Sequence, residues 1–277
     1  MVASPEMDES LRARRARTFG RVAGVYERTR PGYPDEAVRW MAGHATGGPG
    51  TVLELGAGTG KLTSALLGQG HQVVATDPSR PMLTRLRKQL KGVRVVQAVA
   101  EHVPVASSSV DVVVCAQAFH WFDADRALPE IARVLRPGGT LALVWNLRDE
   151  TVPWVRKLGR LIGSEQPEDP TELLEDSGLF DGIEHETFRH WQEVHRDSLV
   201  GLVESRSAVA DLPDDEREAV LTKVGELYDD YGRGHDGMLL PYHCETFRCR
   251  VSGLANYRRD QDAGEPPVDD GLLIDFS

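Results

Sequence analysis

Cysteine is scarce, with 3 among 277 residues. That is too few for a disulfide framework, so nothing in the chain calls for an oxidising compartment and a cytoplasmic location is expected. Lysine is also sparse: Lys61, Lys88, Lys91, Lys157 and Lys223 are 5 of the 32 basic residues. Such an arginine bias, with abundant Ala, Gly and Val, is the codon signature of a GC-rich coding sequence. No apolar run approaches the ~18 residues of a membrane span. The first 17 residues are polar and arginine-rich without an apolar stretch, which excludes a secretory signal, and Glu6, Asp8 and Glu9 speak against an organelle transit segment. An excess of positive charge is missing as well. The net charge is -11 and the pI about 5.3, which argues against a general nucleic-acid binder, whose affinity rests on a basic face. No internal repeat is visible.

What is present is ordinary for a globular protein: 40% apolar and 27% charged residues. At 277 residues the chain supports one or two domains of about 150 residues each, with a core that needs no staples. Residues 1–15 and the acidic stretch 253–277 read as disordered ends, with too little apolar surface to offset the entropy of ordering. Between residues 51 and 145 short apolar runs alternate with helical patterns. Strands are expected at 51–55, 72–76, 93–97, 110–115 and 140–145. Helices are expected at 61–67, after Ser79 with Met82, Leu83, Leu86 and Leu90 on one face, and around Leu128, Ile131, Ala132 and Leu135, ending at Pro137-Gly138-Gly139. Near-continuous apolar strands separated by helices predict a doubly wound, mostly parallel α/β sheet covered on both faces. Further helices are expected at 16–26, 34–43, 153–162, 171–177, 196–209 and 213–231. Two further strands, at 183–190 and around Phe247 to Val251, are expected at one edge of the sheet, one of them antiparallel. The intervening helices should cap the strand ends.

The chemistry lies in Leu53-Glu54-Leu55-Gly56-Ala57-Gly58-Thr59-Gly60, followed by Asp77 at the end of the second strand. Glycines at a strand-to-helix switch let the backbone turn tightly and approach a ligand, and an acid about 20 residues on can accept both hydroxyls of a ribose. A dinucleotide fingerprint would need glycine where Lys61 stands, and a P-loop would need Ser or Thr where Leu62 stands, so both fail on spacing. An acid, Glu54, just ahead of the glycines suits a ligand carrying a cation. S-adenosylmethionine has an ammonium for Glu54, a ribose diol for Asp77, and a methionine arm that the loop from Gly56 to Gly60 can pass closely.

The segments Val52 to Gly60, Ala75 to Ser79, Ala100-Glu101 with Pro104, Ala118 to Phe122 and Arg133 to Gly139 resemble class I S-adenosylmethionine-dependent methyltransferases of the methyltransferase type 11 group. The likeness extends over residues 16–252. It implies a Rossmann-like seven-stranded sheet, a cofactor-binding core at 48–147, and a cap with edge strands at 148–252. It further implies that Glu54, Gly56, Ala57, Gly58, Gly60, Asp77 and Pro78 hold the cofactor. Ala100 and Glu101 would sit by its adenine, where many relatives have an Asp in the position of Val99, and Gln117 would lie by its methionine end. Tyr26, Arg30 and Tyr33 would close over it, with Arg30 suited to its carboxylate or else an ordinary helix-end charge.

Methyl transfer from a sulfonium is an in-line displacement with a good leaving group, so a base is optional. His120 is the candidate base, or else a packing partner of Trp121 and Phe122. Trp121, Arg148, Arg206 and Tyr242 are candidate acceptor residues, and the resemblance allows a carboxylate acceptor. No metal is expected: Cys244 and Cys249 fall on opposite strand faces, and His185, His190 and His195 fit no ligand spacing. Arg12, Arg14, Arg15, Arg17 and Arg21 make either an anion-facing or a solvated helix face. The expected function is methylation of a small-molecule acceptor, with no membrane or nucleic-acid partner. A methyltransferase of protein or RNA and a non-catalytic cofactor binder remain as alternatives. Nothing in the sequence bears on oligomeric state.

Overall fold

The computed structural model describes residues 29–43, 48–164, 169–232 and 236–253. The helix expected at 16–26, Tyr26 with it, the N-terminal arginine cluster and the chain ends at 1–15 and beyond 253 lie outside the described residues. After α1 (Asp35–Ala42) the chain runs β1 (Thr51–Leu55), α2 (Lys61–Gly68), β2 (Gln72–Thr76), α3 (Arg80–Gln89), β3 (Arg94–Val96) and β4 (Val110–Ala116). A short 3-10 turn, Phe119–Trp121, leads to α4 (Ala124–Val134) and β5 (Leu135–Arg148). Then follow α5 (Pro153–Ile162), α6 (Thr171–Asp176), β6 (Phe180–Val194), α7 (Arg196–Glu204), α8 (Ser207–Ala210), α9 (Asp214–Tyr231) and β7 (Met238–Val251).

The strands form one seven-stranded sheet in the order β3-β2-β1-β4-β5-β7-β6. The first five run parallel, and β7 runs antiparallel to both its neighbours. The expected pair of edge strands, one antiparallel, is therefore present. The chain reverses direction across the sheet between β1 and β4, and open α/β sheets bind ligands at the carboxyl ends of the strands flanking such a switch. Period-two alternation sorts the strand residues between two cores. Leu53, Leu55, Val113, Cys115, Leu141 and Leu143 pack with Leu128 and Ile131 of α4, while Val52, Val112, Val114, Ala142 and Val144 pack with α1 and with Leu62 and Leu66 of α2. The helices after β5 have their own core: Trp154, Val155 and Leu158 of α5 meet Leu199, Leu202 and Val203 of α7 and Val224, Leu227 and Tyr228 of α9, against Leu240 and Tyr242 of β7.

Three boundaries differ from expectation. Pro137-Gly138-Gly139 does not form a loop before the fifth strand. The strand begins at Leu135, paired with Val110, and a register shift between Val110 and Val112 absorbs the proline and glycines as an irregularity. The helix expected at 196–209 is broken after Glu204. The Ser205 N–H keeps its bond to the Gly201 carbonyl at 3.0 Å and its hydroxyl donates to the Leu202 carbonyl at 2.7 Å; the Arg206 N–H then turns to the Val203 carbonyl at 3.1 Å, and the chain restarts as α8. The edge strands are longer than their alternating cores, reaching Phe180–Val194 and Met238–Val251, because backbone pairing continues past the half-buried residues that mark them in sequence.

At the amino end of the sheet Asp111 joins three central strands. One oxygen accepts the Thr51 N–H at 2.8 Å and the other faces the Arg136 guanidinium at 2.5 Å. Asp111→Ala should lower unfolding free energy by about 2 kcal/mol, because charged hydrogen bonds contribute more than neutral ones. Urea denaturation would show this, with cofactor affinity unchanged because the site lies at the opposite strand ends.

Candidate active site

The loop after β1 is built on left-handed backbone. Gly56, Gly58 and Gly60 have φ of 71°, 56° and 91°. A Cβ on Gly56 would stand 2.5 Å from the Cβ of Ala118, and one on Gly60 would stand 2.8 Å from Cγ of Leu86. These two glycines let neighbouring elements close in, whereas Gly58 borders open space. The Ala57 N–H donates to the Thr76 carbonyl at 2.8 Å, which ties the loop to the end of β2.

Two buried carboxyl groups flank this loop. Asp77 accepts the Gly58 N–H at 2.9 Å through one oxygen and the Ser79 N–H at 2.7 Å through the other. Burial pushes its pKa up, against those two bonds. Glu54 is 1% exposed and accepts the Thr63 hydroxyl at 2.5 Å. Burial above all, opposed by the Thr63 bond and aided by the Asp77 charge, raises its pKa from 4.5 to about 8. The hydroxyls of Thr59 and Ser79, in the same turns, are buried without a hydrogen-bond partner among the described residues. A ligand with a cation and a diol answers each of these features. The ammonium would meet Glu54, the diol would use the remaining lone pairs of Asp77, and the open side of Gly58 would admit the arm between them. S-adenosylmethionine therefore fits the residues present.

Beside the loop a pocket opens at the carboxyl ends of β4 and β5. It is lined by Arg30, Pro31 and Tyr33 before α1, Lys61 at the start of α2, Gln117 after β4, Asn146 and Arg148 of β5, Leu202 and Arg206 of the cap, and Tyr242 of β7. The break after α7 is what allows Arg206, 7% exposed, to reach it. Gln117 has a left-handed φ of 54°, uncommon for a residue with a side chain. Its N–H donates to the Val144 carbonyl at 2.9 Å and its amide to the Asn146 carbonyl at 3.1 Å. Arg148, whose side chain is 5% exposed, donates to the Gly163 carbonyl at 2.9 Å and has Glu150 at 3.7 Å.

The structure thus brings together Arg30, Gln117, Arg148, Arg206 and Tyr242, and places Glu54, Gly56, Ala57, Gly58, Gly60 and Asp77 in the adjoining loop. Pro78 is exposed next to Asp77, and its carbonyl accepts the Gln97 amide at 2.9 Å. Ala100 is buried, and Glu101 accepts the N–H of Asp123, the residue that caps α4, at 2.8 Å. Val99 is 46% exposed. His120 is exposed on the 3-10 turn with its ring 4.5 Å from that of Trp121, and neither residue lines the pocket. Lys61 and Asn146 are pocket residues that the sequence reading did not assign. The readable signal was position: Lys61 directly follows the third glycine, and Asn146 is a polar residue in the apolar run that ends the fifth strand.

Residues 53–143 match a family described as a methyltransferase domain. An uncharacterized methyltransferase of Mycobacterium tuberculosis is 42% identical over 229 residues, covering 81% of this chain and 92% of that protein. The chain belongs to the S-adenosylmethionine-dependent methyltransferases of the type 11 group. S-adenosylmethionine is the cofactor of this methyltransferase. A malonyl-[acyl-carrier protein] O-methyltransferase of Pectobacterium atrosepticum is 35% identical over 128 residues, 46% of this chain and 51% of that protein. Among solved structures, a putative type II methyltransferase from Anaeromyxobacter dehalogenans shares the fold, with a TM-score of 0.56 and 24% identity over 80% of this chain and 97% of the other.

In the ligand-free methyltransferase Glu54 is a liability above neutral pH. Its folded pKa, about 8, lies above the 4.5 of a free carboxyl group. The folded state therefore holds an extra proton between those values, and the associated stability, complete below 4.5, is lost as pH rises through 8. Glu54→Gln should raise the melting temperature at pH 8.5 and change it little at pH 4.5, while weakening S-adenosylhomocysteine binding. Thermal melts at the two pH values and calorimetric titration would check both halves.

Proposed function

We propose that this methyltransferase methylates a small acceptor that carries a carboxylate, in the pocket between the strand ends and the helical cap. The observation behind this reading is the charge of the lining. Arg30, Lys61, Arg148 and Arg206 line the pocket, and among the described residues no acidic one does. Arg148, with Glu150 at 3.7 Å, and Arg206 are largely desolvated, and a lining with this excess of cations should favour an anionic guest. We assign this lining to two carboxylates. Lys61, which directly follows the glycine loop, and Arg30, held by Ser205 of the cap, suit the amino-acid carboxylate of the cofactor. Arg148 and Arg206, farther along β5 and in the cap, suit the acceptor, with Tyr242 as a neutral donor. Similarity to a protein named for O-methylation of a malonyl group, which ends in a carboxylate, supports the same class.

When bound, S-adenosylmethionine supplies an electrophilic methyl group on a sulfonium. The protein's part is alignment. Asp77 and Glu54 orient the nucleoside and ammonium, Gln117 and Arg30 fix the amino-acid end, and Arg148 with Arg206 turns the acceptor oxygen toward the methyl. Holding two reactants in register can account for ~7–11 kcal/mol of a barrier. A carboxylate is already ionised near neutral pH and needs no base, so His120 is assigned no proton transfer, and Trp121 is left to shape the adjoining turn. Leu202 and Arg206 of the helical cap line the pocket, which favours a metabolite over a macromolecule. Three buried free thiols, Cys115, Cys244 and Cys249, suit a reducing cytoplasm.

Incubating the protein with radiolabelled S-adenosylmethionine and a panel of mono-, di- and tricarboxylic acids, amines and phenols should give base-labile methyl esters of an acid. Arg148→Ala and Arg206→Ala should each raise the acceptor KM by about tenfold or more while cofactor affinity stays within about twofold. A base-stable product, or preference for a cationic acceptor, would overturn the assignment.

A further inference from the structure

The stretch from Thr29 to Gly32 is held at both ends by side chains of the sheet. Asn146 donates its amide N–H to the Gly32 carbonyl at 2.9 Å, and Gln192 donates to the Thr29 carbonyl at 2.6 Å. Between these anchors Arg30 and Pro31 line the pocket, with the Arg30 guanidinium bonded to the Ser205 hydroxyl at 3.1 Å and to the Ser205 carbonyl at 3.4 Å. The stretch is a strap from the sheet to the cap.

The amide of Asn146 has its orientation dictated. A carbonyl only accepts, so the NH2 must face Gly32, and the amide oxygen must face Nε2 of His190, 2.9 Å away. Nε2 of His190 must then carry a hydrogen. His190 lies on β6, outside the pocket lining, with its ring stacked on Tyr242 at 5.2 Å and 16°. Burial lowers its pKa to about 4, so the ring is neutral near pH 7 and one nitrogen alone can donate. The Tyr242 hydroxyl donates to Gln192 at 3.3 Å, which ties the second anchor to the same stack. His190, Asn146, Tyr242 and Gln192 form one partly buried network that ends on the two carbonyls flanking Arg30.

We propose that His190 is a positioning residue for methyl transfer: through Asn146 it sets the strap that aims Arg30 at the carboxylate of the bound cofactor. Its role is to restrain the Asn146 amide. The Gly32 carbonyl selects the NH2 side, and the Nε2 hydrogen, holding the amide oxygen from the other side, keeps that NH2 in line with the strap; without it Gly32 has a less constrained donor. The proposal rests on the reading that Arg30 serves the cofactor's carboxylate.

The test compares two nucleosides on the full chain by calorimetry. S-adenosylhomocysteine carries the carboxylate, and 5′-methylthioadenosine lacks the amino-acid arm. His190→Phe keeps an aromatic ring on Tyr242 but has no donor, and His190→Gln restores an N–H near the same place. His190→Phe should weaken S-adenosylhomocysteine about tenfold and 5′-methylthioadenosine less than about twofold, with His190→Gln recovering most of the loss. Arg30→Ala should show the same selective loss. If Arg30→Ala is selective and His190→Phe is not, the positioning role is wrong and the reading of Arg30 stands. If Arg30→Ala leaves both affinities unchanged, that reading fails and the proposal with it. Parallel loss of both nucleosides in His190→Phe, or no recovery in His190→Gln, also overturns it.

Discussion

The hydrogen bonds from the Gly58 and Ser79 amides to Asp77 are the constraint on which the site depends. They make one carboxylate the common anchor of two loops, one after β1 and one after β2. Left-handed backbone at Gly56, Gly58 and Gly60 is what lets the first loop turn back far enough to reach it. The same turn presses Gly56 against Ala118 after β4 and Gly60 against Leu86 of α3. Four elements that meet nowhere else in sequence are thereby locked at the switch point of the sheet. The cost is two carboxyl groups, Glu54 and Asp77, held out of water with raised pKa.

Charge is divided across this anchor. Glu54 and Asp77 flank the glycine loop, and Arg30, Lys61, Arg148 and Arg206 line the adjoining pocket. Burial disfavours the charged forms of the two acids, and the pocket carries an excess of cations that contacts such as Glu150 to Arg148 and Ser205 to Arg30 offset. Such stored cost is common at functional sites, where a ligand of complementary charge relieves it. Ser205 holds Arg30 and Gly163 holds Arg148 at the pocket.

The core of the fold was legible because it is local. The strands from β1 to β5 are apolar runs bounded by glycine, proline or polar residues, and period-two and period-3.6 patterns sort them from the helices. Glu54, the glycines and Asp77 were legible for the same reason, as acid, turn and acid at a spacing that one strand–helix–strand unit imposes. Boundaries failed where pairing overrode local preference. Pro137-Gly138-Gly139 looks like a loop, yet the register shift beside Val110 draws it into β5. Ser205 looks like any helical serine, yet after it the Arg206 N–H turns to the Val203 carbonyl and the helix ends, with Arg206 buried.

From the sequence alone follow the mostly parallel sheet, the cofactor's class and the glycine loop set between two acids, because each is specified by residues a few positions apart. The pocket is different. Arg30, Lys61, Gln117, Asn146, Arg206 and Tyr242 come from six separate parts of the chain, and His190 acts from a seventh. No periodicity links them. Only the closing of β7 between β5 and β6, and the return of the cap over the strand ends, brings their charges and hydrogen bonds within reach of one another.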